Sequence, residues 1–253
     1  SKQHGAPVSA VAFSPDQRHF LSGDQAGAVL VHEFGKAGTA PAYTQHSPTV
    51  PITGIAFFKD GTVATASLDR SVSIWDLPTR KERFVPSPAK NVKEDCGVHS
   101  LAISSDEKLI LTGCVDGVVR VWDVSTKKLV KSLKGHAEAV LSVAFMAEDR
   151  RVLSASLDGT LIRWDLETGK FEQTPRNSYR PTSLVRFSRD GKHLVTADQD
   201  AVSYRTAAGD LLFDVVRHAL LEDVAFSADE SQAITAGTDA AVKIWDLRST
   251  PPR

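Results

Sequence analysis

Cysteine is scarce in this chain, whose 253 residues include two, Cys96 and Cys114. Two cysteines cannot form the disulfide framework of a small secreted domain, and no CxxCH motif for haem attachment occurs. Cys96 and His99 have the spacing of two metal ligands, but no second pair of ligands accompanies them, as a structural metal site would require. We therefore expect neither a bound metal nor a cofactor.

Long apolar runs and an excess of charge are also missing. No apolar stretch approaches the ~18 residues that would span a membrane, and residues 1–10 have no apolar signal core. We expect no membrane association and a cytoplasmic location, with an extracytoplasmic one left open because a signal peptide can be removed before Ser1. The 30 Lys+Arg and 31 Asp+Glu give a formal charge of −1, so we expect no nucleic-acid partner.

A six-residue pattern of apolar residues followed by an acid occurs six times. The copies are VAFSPD (11–16), IAFFKD (55–60), LAISSD (101–106), VAFMAE (143–148), VRFSRD (185–190) and VAFSAD (224–229). The third residues of successive copies are 44, 46, 42, 42 and 39 positions apart. A nearly constant period of this size indicates an array of one repeated structural unit.

Each copy is followed by short runs rich in Val, Ile, Leu and Trp that are broken by Asp and Gly, a pattern typical of β-strands and tight turns. No segment has a sustained period of 3.6 residues, so we predict negligible helix. The acid that ends each copy is placed to bond its own turn. The first strands of the six units should begin near residues 8, 52, 98, 140, 182 and 221.

A unit of about 42 residues that ends in Trp-Asp resembles the WD-repeat family, in which each repeat forms one four-stranded propeller blade. The dipeptide occurs at 75–76, 122–123, 164–165 and 245–246, whereas repeats one and five have His32–Glu33 and Thr206–Ala207 instead. The resemblance implies an all-β, WD40-type β-propeller with six recognisable blades in one domain over 1–253. The repeats are anchored at 8–33, 52–76, 98–123, 140–165, 182–207 and 221–246.

The same resemblance implies a buried hydrogen-bonded ladder of His, Ser or Thr, Asp and Trp within a blade, because buried polar groups need partners. The complete set occurs in the fourth repeat, and partial sets occur in the second, third and sixth. The ladder residues are His136, Ser154, Asp158 and Trp164; Thr65, Asp69 and Trp75; Thr112, Asp116 and Trp122; and Thr235, Asp239 and Trp245.

Ser, His and Asp are also the residue types of a hydrolase triad, but no GxSxG elbow accompanies them and no Gly-rich phosphate loop opens a helix. We therefore expect no catalytic residues and a protein that is not an enzyme. An alternative is that the propeller is one domain of a larger enzyme or electron-transfer protein whose reactive domain lies outside this chain.

In WD-repeat propellers, residues at the tips of the inner strands line a narrow face that binds partners. At these positions blades two to four carry apolar residues with a cation and an imidazole beside them: Leu68, Arg70, His99, Val115, Leu141 and Leu157. An exposed apolar patch edged by polar groups suits a protein or peptide partner. We therefore predict a scaffold that binds a protein or peptide there, although these residues could instead pack beneath the loops. The long connection 81–97 could also carry contacts.

Five repeats are followed by a stretch able to form an outer strand, at 41–45, 82–85, 128–133, 170–174 and 210–215. After Asp246 the chain continues as LRSTPPR, whose prolines lack the donors of a strand. We therefore predict that the last blade lacks its outer strand and that missing chain segments or another chain complete the propeller edge. A seventh blade outside the chain is one such completion, and a ring of six with a three-stranded final blade is the alternative.

Overall fold

The computed structural model of the chain describes most of the repeats. The described residues are 4–16, 18–33, 39–42, 49–79, 82–84, 97–146, 149–173, 184–188, 193–197, 201–206, 211–216, 221–226, 231–237 and 242–246. The chain divides into two compact units, Ser1–Lys134 and Gly135–Arg253. Each unit contains three antiparallel sheets.

In the first unit every sheet has four strands in sequence order. The first sheet contains β1 (Val8–Phe13), β2 (His19–Asp24), β3 (Val29–Glu33) and β4 (Thr39–Ala42). The second contains β5 (Ile52–Phe57), β6 (Thr62–Ser67), β7 (Val72–Asp76) and β8 (Glu82–Phe84). The third contains β9 (Val98–Ile103), β10 (Leu109–Cys114), β11 (Val118–Asp123) and β12 (Lys128–Lys134).

In the second unit the strand order is again consecutive. The fourth sheet contains β13 (Val140–Phe145), β14 (Arg151–Ser156), β15 (Leu161–Asp165) and β16 (Phe171–Gln173). The fifth contains β17 (Leu184–Phe187), β18 (His193–Ala197), β19 (Ala201–Thr206) and β20 (Leu211–Val216). The sixth contains β21 (Leu221–Phe226), β22 (Gln232–Gly237) and β23 (Val242–Asp246).

The sheets confirm the predicted fold class. Five of the six first strands begin at the predicted residue, β17 begins at Leu184, and no α-helix forms among the described residues. The part of the chain that the structure describes also contains no helix long and apolar enough to cross a membrane. The sixth sheet has three described strands, and residues 247–253 lie outside the described ranges, so the completion of the last blade stays a prediction.

In the first three sheets the acid that ends the six-residue pattern closes the turn between the first two strands, as predicted, whereas Glu148, Asp190 and Asp229 lie outside the described residues. The Oδ1 atom of Asp16 accepts from the backbone N–H of Arg18 at 2.9 Å, and that of Asp60 accepts from Thr62 at 2.8 Å. Asp106 does the same for the third sheet, accepting from Lys108 at 3.1 Å. These hydrogen bonds fix the hairpin reversal in water-exposed positions, so the acids are structural.

The core of the first unit lies between neighbouring sheets. Ile55 and Phe57 of β5 pack against a cluster that joins the first two sheets: Ala10, Leu21, Val29, Ile52, Val63 and Trp75. Leu101 and Ile103 of β9 pack in the same way against Phe58, Ala64, Ile74, Ile110 and Trp122. The large apolar residues of the repeated pattern are therefore the contacts that stack one sheet on the preceding one.

The equivalent residues of the first sheet are Val11 and Phe13 of β1, which are 52% and 65% exposed.

Two side-chain hydroxyls link the sheets of the first unit at the start of their first strands. Ser9 Oγ donates to the carbonyl of Ile52, and Thr53 Oγ1 donates to the carbonyl of Val98, both at 2.6 Å. The first strand of each sheet is thereby tied to the first strand of the next sheet. Ser9 and Thr53 therefore have a structural role between neighbouring sheets.

The fifth sheet departs from the predicted alignment. Ser154 of the fourth sheet pairs with Ile162, eight residues later, and Trp164 pairs with Val152. In the fifth sheet Thr196 pairs with Ser203, seven residues later, so that Arg205 pairs with Leu194. The positions equivalent to Trp-Asp are therefore Arg205 and Thr206. The assignment of Thr206–Ala207 was wrong because the connection between β18 and β19 is one residue shorter.

The close packing of the first two sheets generates a stability prediction. A Cβ atom on Gly23 would lie 2.5 Å from Ile52 Cγ2 and 2.8 Å from its Cβ. We expect Gly23→Ala to lower the free energy of unfolding by about 1–3 kcal/mol, because the two sheets must move apart. Urea denaturation of this variant beside Gly5→Ala, whose new Cβ would meet nothing within 4 Å, measures the effect. Equal midpoints for the two variants would contradict this account of the packing.

Candidate functional site

The fourth sheet contains a connected hydrogen-bond array around one serine. Trp164 Nε1 donates to Ser154 Oγ at 2.8 Å, and His136 Nε2 lies 2.7 Å from the same oxygen. Ser154 and Trp164 are 0% and 1% exposed. Because the serine accepts from the indole, its own proton goes to His136 Nε2, and His136 is the neutral tautomer protonated on Nδ1.

Asp158 holds the other end of this array. Its Oδ2 atom accepts from the backbone N–H of Ala137 at 2.8 Å and lies 3.3 Å from His136 Nδ1. Its Oδ1 atom accepts from the N–H and the hydroxyl of Thr160 at 2.9 and 2.5 Å. The hydrogen bonds from Thr160 and Ala137 and the nearby His136 outweigh burial and lower the pKa of Asp158. Burial lowers the pKa of His136, which keeps its ring neutral.

The first sheet builds a second complete array that the sequence did not reveal. His4 Nε2 and His32 Nε2 lie 2.6 and 2.7 Å from Ser22 Oγ, and His4 Nδ1 lies 2.8 Å from Asp24 Oδ2. His32 thus takes the place of the tryptophan. Asp24, which is 1% exposed, supplies the carboxylate. It lies two residues before Ala26, the position that corresponds to Asp158. The fourth sheet has the predicted set of His, Ser, Asp and Trp, and the first sheet builds a comparable array without a tryptophan.

The environment of His32 is largely apolar. Its ring stacks on Phe20 with 4.2 Å between centroids and 2° between planes. Burial is the main cause that lowers the pKa of His32. A neutral His32 donates from Nε2 to Ser22, whose proton goes to His4. The titratable groups bonded into this array are therefore His4, His32 and Asp24.

The third sheet keeps part of the ladder and replaces the rest. Trp122 Nε1 donates to Thr112 Oγ1 at 3.0 Å. Asp116 accepts two hydrogen bonds from Arg120, at 3.0 Å from Nη1 and 2.6 Å from Nη2. Arg120 is buried, so this ion pair satisfies a guanidinium that would otherwise be costly to enclose. Asp116 therefore pairs with an arginine on β11, whereas Asp158, the equivalent residue of the fourth sheet, faces a histidine.

The second sheet does not form the predicted ladder. Trp75 Nε1 is buried without a hydrogen-bond partner in the described structure. Thr65 Oγ1 instead donates to the carbonyl of Ser73 at 3.5 Å, and Asp69 accepts from the N–H and hydroxyl of Ser71. The predicted contact of Trp75 was wrong because the hydroxyl of Thr65 is turned to its own hairpin. In the sixth sheet Thr235 lies on β22 and Trp245 on β23, while Asp239 lies outside the described residues.

The Asp of the Trp-Asp dipeptide has a separate role, which the recurring D-x-x-T spacing could have indicated. Asp76 Oδ1 accepts from the N–H of Thr79 at 2.8 Å and from its hydroxyl at 2.7 Å. Asp123 with Thr126 and Asp165 with Thr168 repeat this turn. Hydrogen bonds from Thr126 and Ser125 lower the pKa of Asp123 to about 2. These exposed acids close the turns that follow the third strands.

Two predicted rim residues of the first unit, Leu68 and Val115, belong to neighbouring sheets. A Cβ atom on Gly97 would lie 3.1 Å from both the Leu68 carbonyl oxygen and Val115 Cγ2, so Gly97 separates these two residues. Val115 is 36% exposed and Leu68 is half-buried. We call Leu68 and Val115, which lie on either side of the buried Gly97, the Leu68–Val115 patch.

The two polar rim residues of the first unit differ in exposure. Arg70 is exposed and lies in the turn that follows Leu68. His99 is half-buried on β9, and burial lowers the pKa of its ring. His99 is therefore a neutral polar group near pH 7, whereas Arg70 carries a positive charge. Cys96, the proposed second member of a metal-ligand pair, lies outside the described residues.

In the second unit the two predicted rim residues have different surroundings. Leu157 is half-buried in the turn between β14 and β15, and its N–H donates to the carbonyl of Ala139 at 3.0 Å. Leu141 packs against the buried pair Ala155 and Leu161. This packing favours a structural role for Leu141. Leu157 keeps a position like that of Leu68, whose N–H donates to the carbonyl of Pro51.

Comparison with known proteins agrees with this architecture. The family model "WD domain, G-beta repeat" matches residues 1–32, 40–76 and 211–246, and the model "Vps8 beta-propeller" matches residues 82–166. Repeated antiparallel sheets of this kind define the class of β-propeller proteins. The chain belongs to the WD-repeat β-propeller family. The fifth repeat, which lacks the tryptophan, lies outside these matches.

Several curated proteins are similar to part of the chain. It is 31% identical over 150 residues to the guanine nucleotide-binding protein subunit beta-5b of Danio rerio, covering 56% of the chain and 36% of that protein. It is 24% identical over 133 residues to autophagy-related protein 16 of Arabidopsis thaliana, covering 53% and 25%. It is 36% identical over 84 residues to myosin heavy chain kinase C of Dictyostelium discoideum, covering 33% and 10%. The matched regions are a minor part of each relative.

The array in the fourth sheet predicts that Asp158 is important for stability. We expect Asp158→Ala to lower the free energy of unfolding by about 1–3 kcal/mol, because the donors on Thr160, Ala137 and His136 lose their acceptor. Asp16→Ala should cost less, because water can replace the exposed carboxylate of Asp16. Denaturant midpoints measure both, and equally mild effects would count against the importance of the array.

The array in the first sheet predicts acid sensitivity. The folded protein holds His32 below its ordinary pKa of 6.5, so the unfolded chain binds the proton more strongly. The contribution of His32 to the free energy of unfolding is therefore complete above about pH 6.5 and declines as the pH falls below that value. We expect His32→Trp to reduce the loss of stability between pH 7.5 and 5.5, because an indole does not titrate. The remaining loss belongs to His136 and His99, whose pKa values are also lowered by burial.

Urea midpoints of the wild type and His32→Trp at the two pH values make this measurement. An equal drop in both proteins would show that His32 does not contribute to acid sensitivity.

Proposed function

We propose that the chain is a non-catalytic scaffold that binds a protein or peptide partner on the rim of its WD-repeat sheets. The observation that carries this proposal is the Leu68–Val115 patch, in which apolar residues from the second and third sheets lie on either side of Gly97, with the exposed Arg70 two residues after Leu68. Leu157 provides a corresponding apolar residue in the second unit. Apolar surface at the centre with polar groups around it is the composition of a protein interface.

The burial and hydrogen bonding of the polar residues support a non-catalytic function. The Ser-His-Asp sets of the first and fourth sheets have the residue types of a hydrolase, but Ser22 and Ser154 are buried. Each hydroxyl is also bonded to a second ring, that of His32 or Trp164, which occupies the oxygen that a nucleophile would need free. These groups are therefore better suited to holding the sheets than to attacking a substrate.

The relatives support the same function. One is named as a subunit, which is a component of a larger assembly, and this agrees with a scaffold that works through protein contacts. The balanced formal charge of −1 gives no basis for a nucleic-acid partner. The match to a region of myosin heavy chain kinase C, covering 10% of that protein, favours the second candidate, a propeller domain within a larger enzyme.

The proposal predicts the effect of a charge on the patch. We expect Leu68→Asp, and separately Leu157→Asp, to abolish binding of the partner with little change in the melting temperature, because a buried carboxylate would be unpaired at the interface. Val130→Asp is the matched control, since Val130 is 57% exposed on β12. Quantitative cross-linking and mass spectrometry of the intact protein from its native cells would identify a stoichiometric partner and measure its loss.

If the Leu68 and Leu157 variants retain the partner while Val130→Asp loses it, the binding surface lies elsewhere. If Leu68→Asp or Leu157→Asp unfolds the protein, that residue is part of the core and its assignment to the rim is wrong.

A further inference from the structure

The second sheet buries two polar side-chain atoms on β7 that have no hydrogen-bond partner in the part of the chain that the structure describes. They are the indole Nε1 of Trp75 and the hydroxyl Oγ of Ser73. Trp75 is 1% exposed and Ser73 is 2% exposed, so bulk water does not reach them. The two residues are two positions apart on the strand, which places their side chains on the same face of the sheet. Buried donors and hydroxyls without a partner destabilise a fold, so both atoms call for one.

The position of Ser73 is filled by larger side chains in the other sheets with a described hydroxyl. The residue that pairs with that hydroxyl is Leu30 opposite Ser22, Arg120 opposite Thr112, and Ile162 opposite Ser154. These three residues are buried, as is Ser73, which lies opposite Thr65. Serine is the smallest of the four side chains, so this equivalent position leaves room for a small molecule and lines it with a hydroxyl.

The groups that complete the array elsewhere are turned away or replaced in the second sheet. Trp122 and Trp164 donate to a hydroxyl on the second strand, whereas the hydroxyl of Thr65 donates to the carbonyl of Ser73. His4 and His136 stand nine residues before Phe13 and Phe145, but the residue nine positions before Phe57 is Pro48, which has no polar side chain. The second repeat therefore offers no imidazole at the position used by the first and fourth.

We propose that the second sheet binds a buried water molecule that accepts a hydrogen bond from Trp75 Nε1 and is hydrogen-bonded to Ser73 Oγ. Water can accept from an indole N–H while it donates to, or accepts from, a hydroxyl, so one molecule serves both groups. Buried waters in proteins make about three hydrogen bonds to polar groups that the protein itself leaves unpaired. This water would do for Trp75 what Ser154 does for Trp164.

A neutral ligand fits these two groups better than an ion. The indole and the hydroxyl carry no charge, and an ion removed from water needs a countercharge beside it. The carboxylate of Asp69 already accepts from the N–H and the hydroxyl of Ser71. The water also supports the packing of the first unit, because Trp75 belongs to the cluster that joins the first two sheets. This site goes beyond the proposed binding function and does not depend on it.

A crystal structure of the intact chain, at a resolution that shows ordered waters, tests the site directly. We expect density for a water within about 3.2 Å of both Trp75 Nε1 and Ser73 Oγ. The indoles of Trp122 and Trp164 are internal controls, because they donate to Thr112 and Ser154 and should bind no water at Nε1. Absence of density at Trp75, or a hydrogen bond from its Nε1 to Thr65 or another protein atom, would overturn the proposal.

The sign of a stability change tests the same site in solution. If the Ser73 hydroxyl is bonded to water, Ser73→Ala removes a hydrogen bond and should lower the urea midpoint. If the hydroxyl is buried without a partner, its removal should leave the midpoint unchanged or raise it, and that result would overturn the proposal. Ser132→Ala is the matched control, because Ser132 is an exposed serine on β12 and reports the effect of this substitution in a strand where solvent is available.

Discussion

A sheet of three or four strands can bury an apolar face only against another sheet, and this requirement organises the first unit. Ile55 and Phe57 of one sheet contact the cluster that contains Leu21 and Val29 of the preceding sheet. The sheets approach so closely that Gly23 faces Ile52 without room for a Cβ. Polar atoms inside this stack are cut off from water, so most of them need hydrogen-bond partners within the protein.

The buried hydroxyl on the second strand meets that requirement in more than one way. A serine or threonine oxygen can donate once and accept twice, so it accommodates different ring partners. Ser154 joins an indole and an imidazole, Ser22 joins two imidazoles, and Thr112 accepts from an indole and from the thiol of Cys114. The position of the hydroxyl is therefore constant, while the donors around it depend on what neighbouring strands supply. The conserved geometry of the sheet tolerates changes in its polar interior.

The fold could be predicted from the sequence because the contacts between sheets repeat with the chain period. The strand starts at Val8, Ile52 and Val98 follow directly from the repeated apolar residues. The alignment could not show that Asp24 reaches His4, since hydrogen bonding depends on side-chain direction as well as position. The sequence alignment of the fifth repeat was off by one residue because no tryptophan marks the position of Arg205. Sequence positions also could not show that Leu141 packs against Ala155 and Leu161.

The distribution of polar groups explains why the rim is the best candidate for function. Within the described sheets, Asp158 and Asp24 complete interior arrays, and Asp76 and its equivalents close turns. These roles recur from sheet to sheet, so they belong to the fold. Leu68 and Val115 lie in the turns after β6 and β10, and their apolar side chains take no part in these hydrogen bonds. Because backbone and carboxylate groups close the turns, the repeat does not dictate these two side chains, which leaves them as the candidates for recognition of a partner.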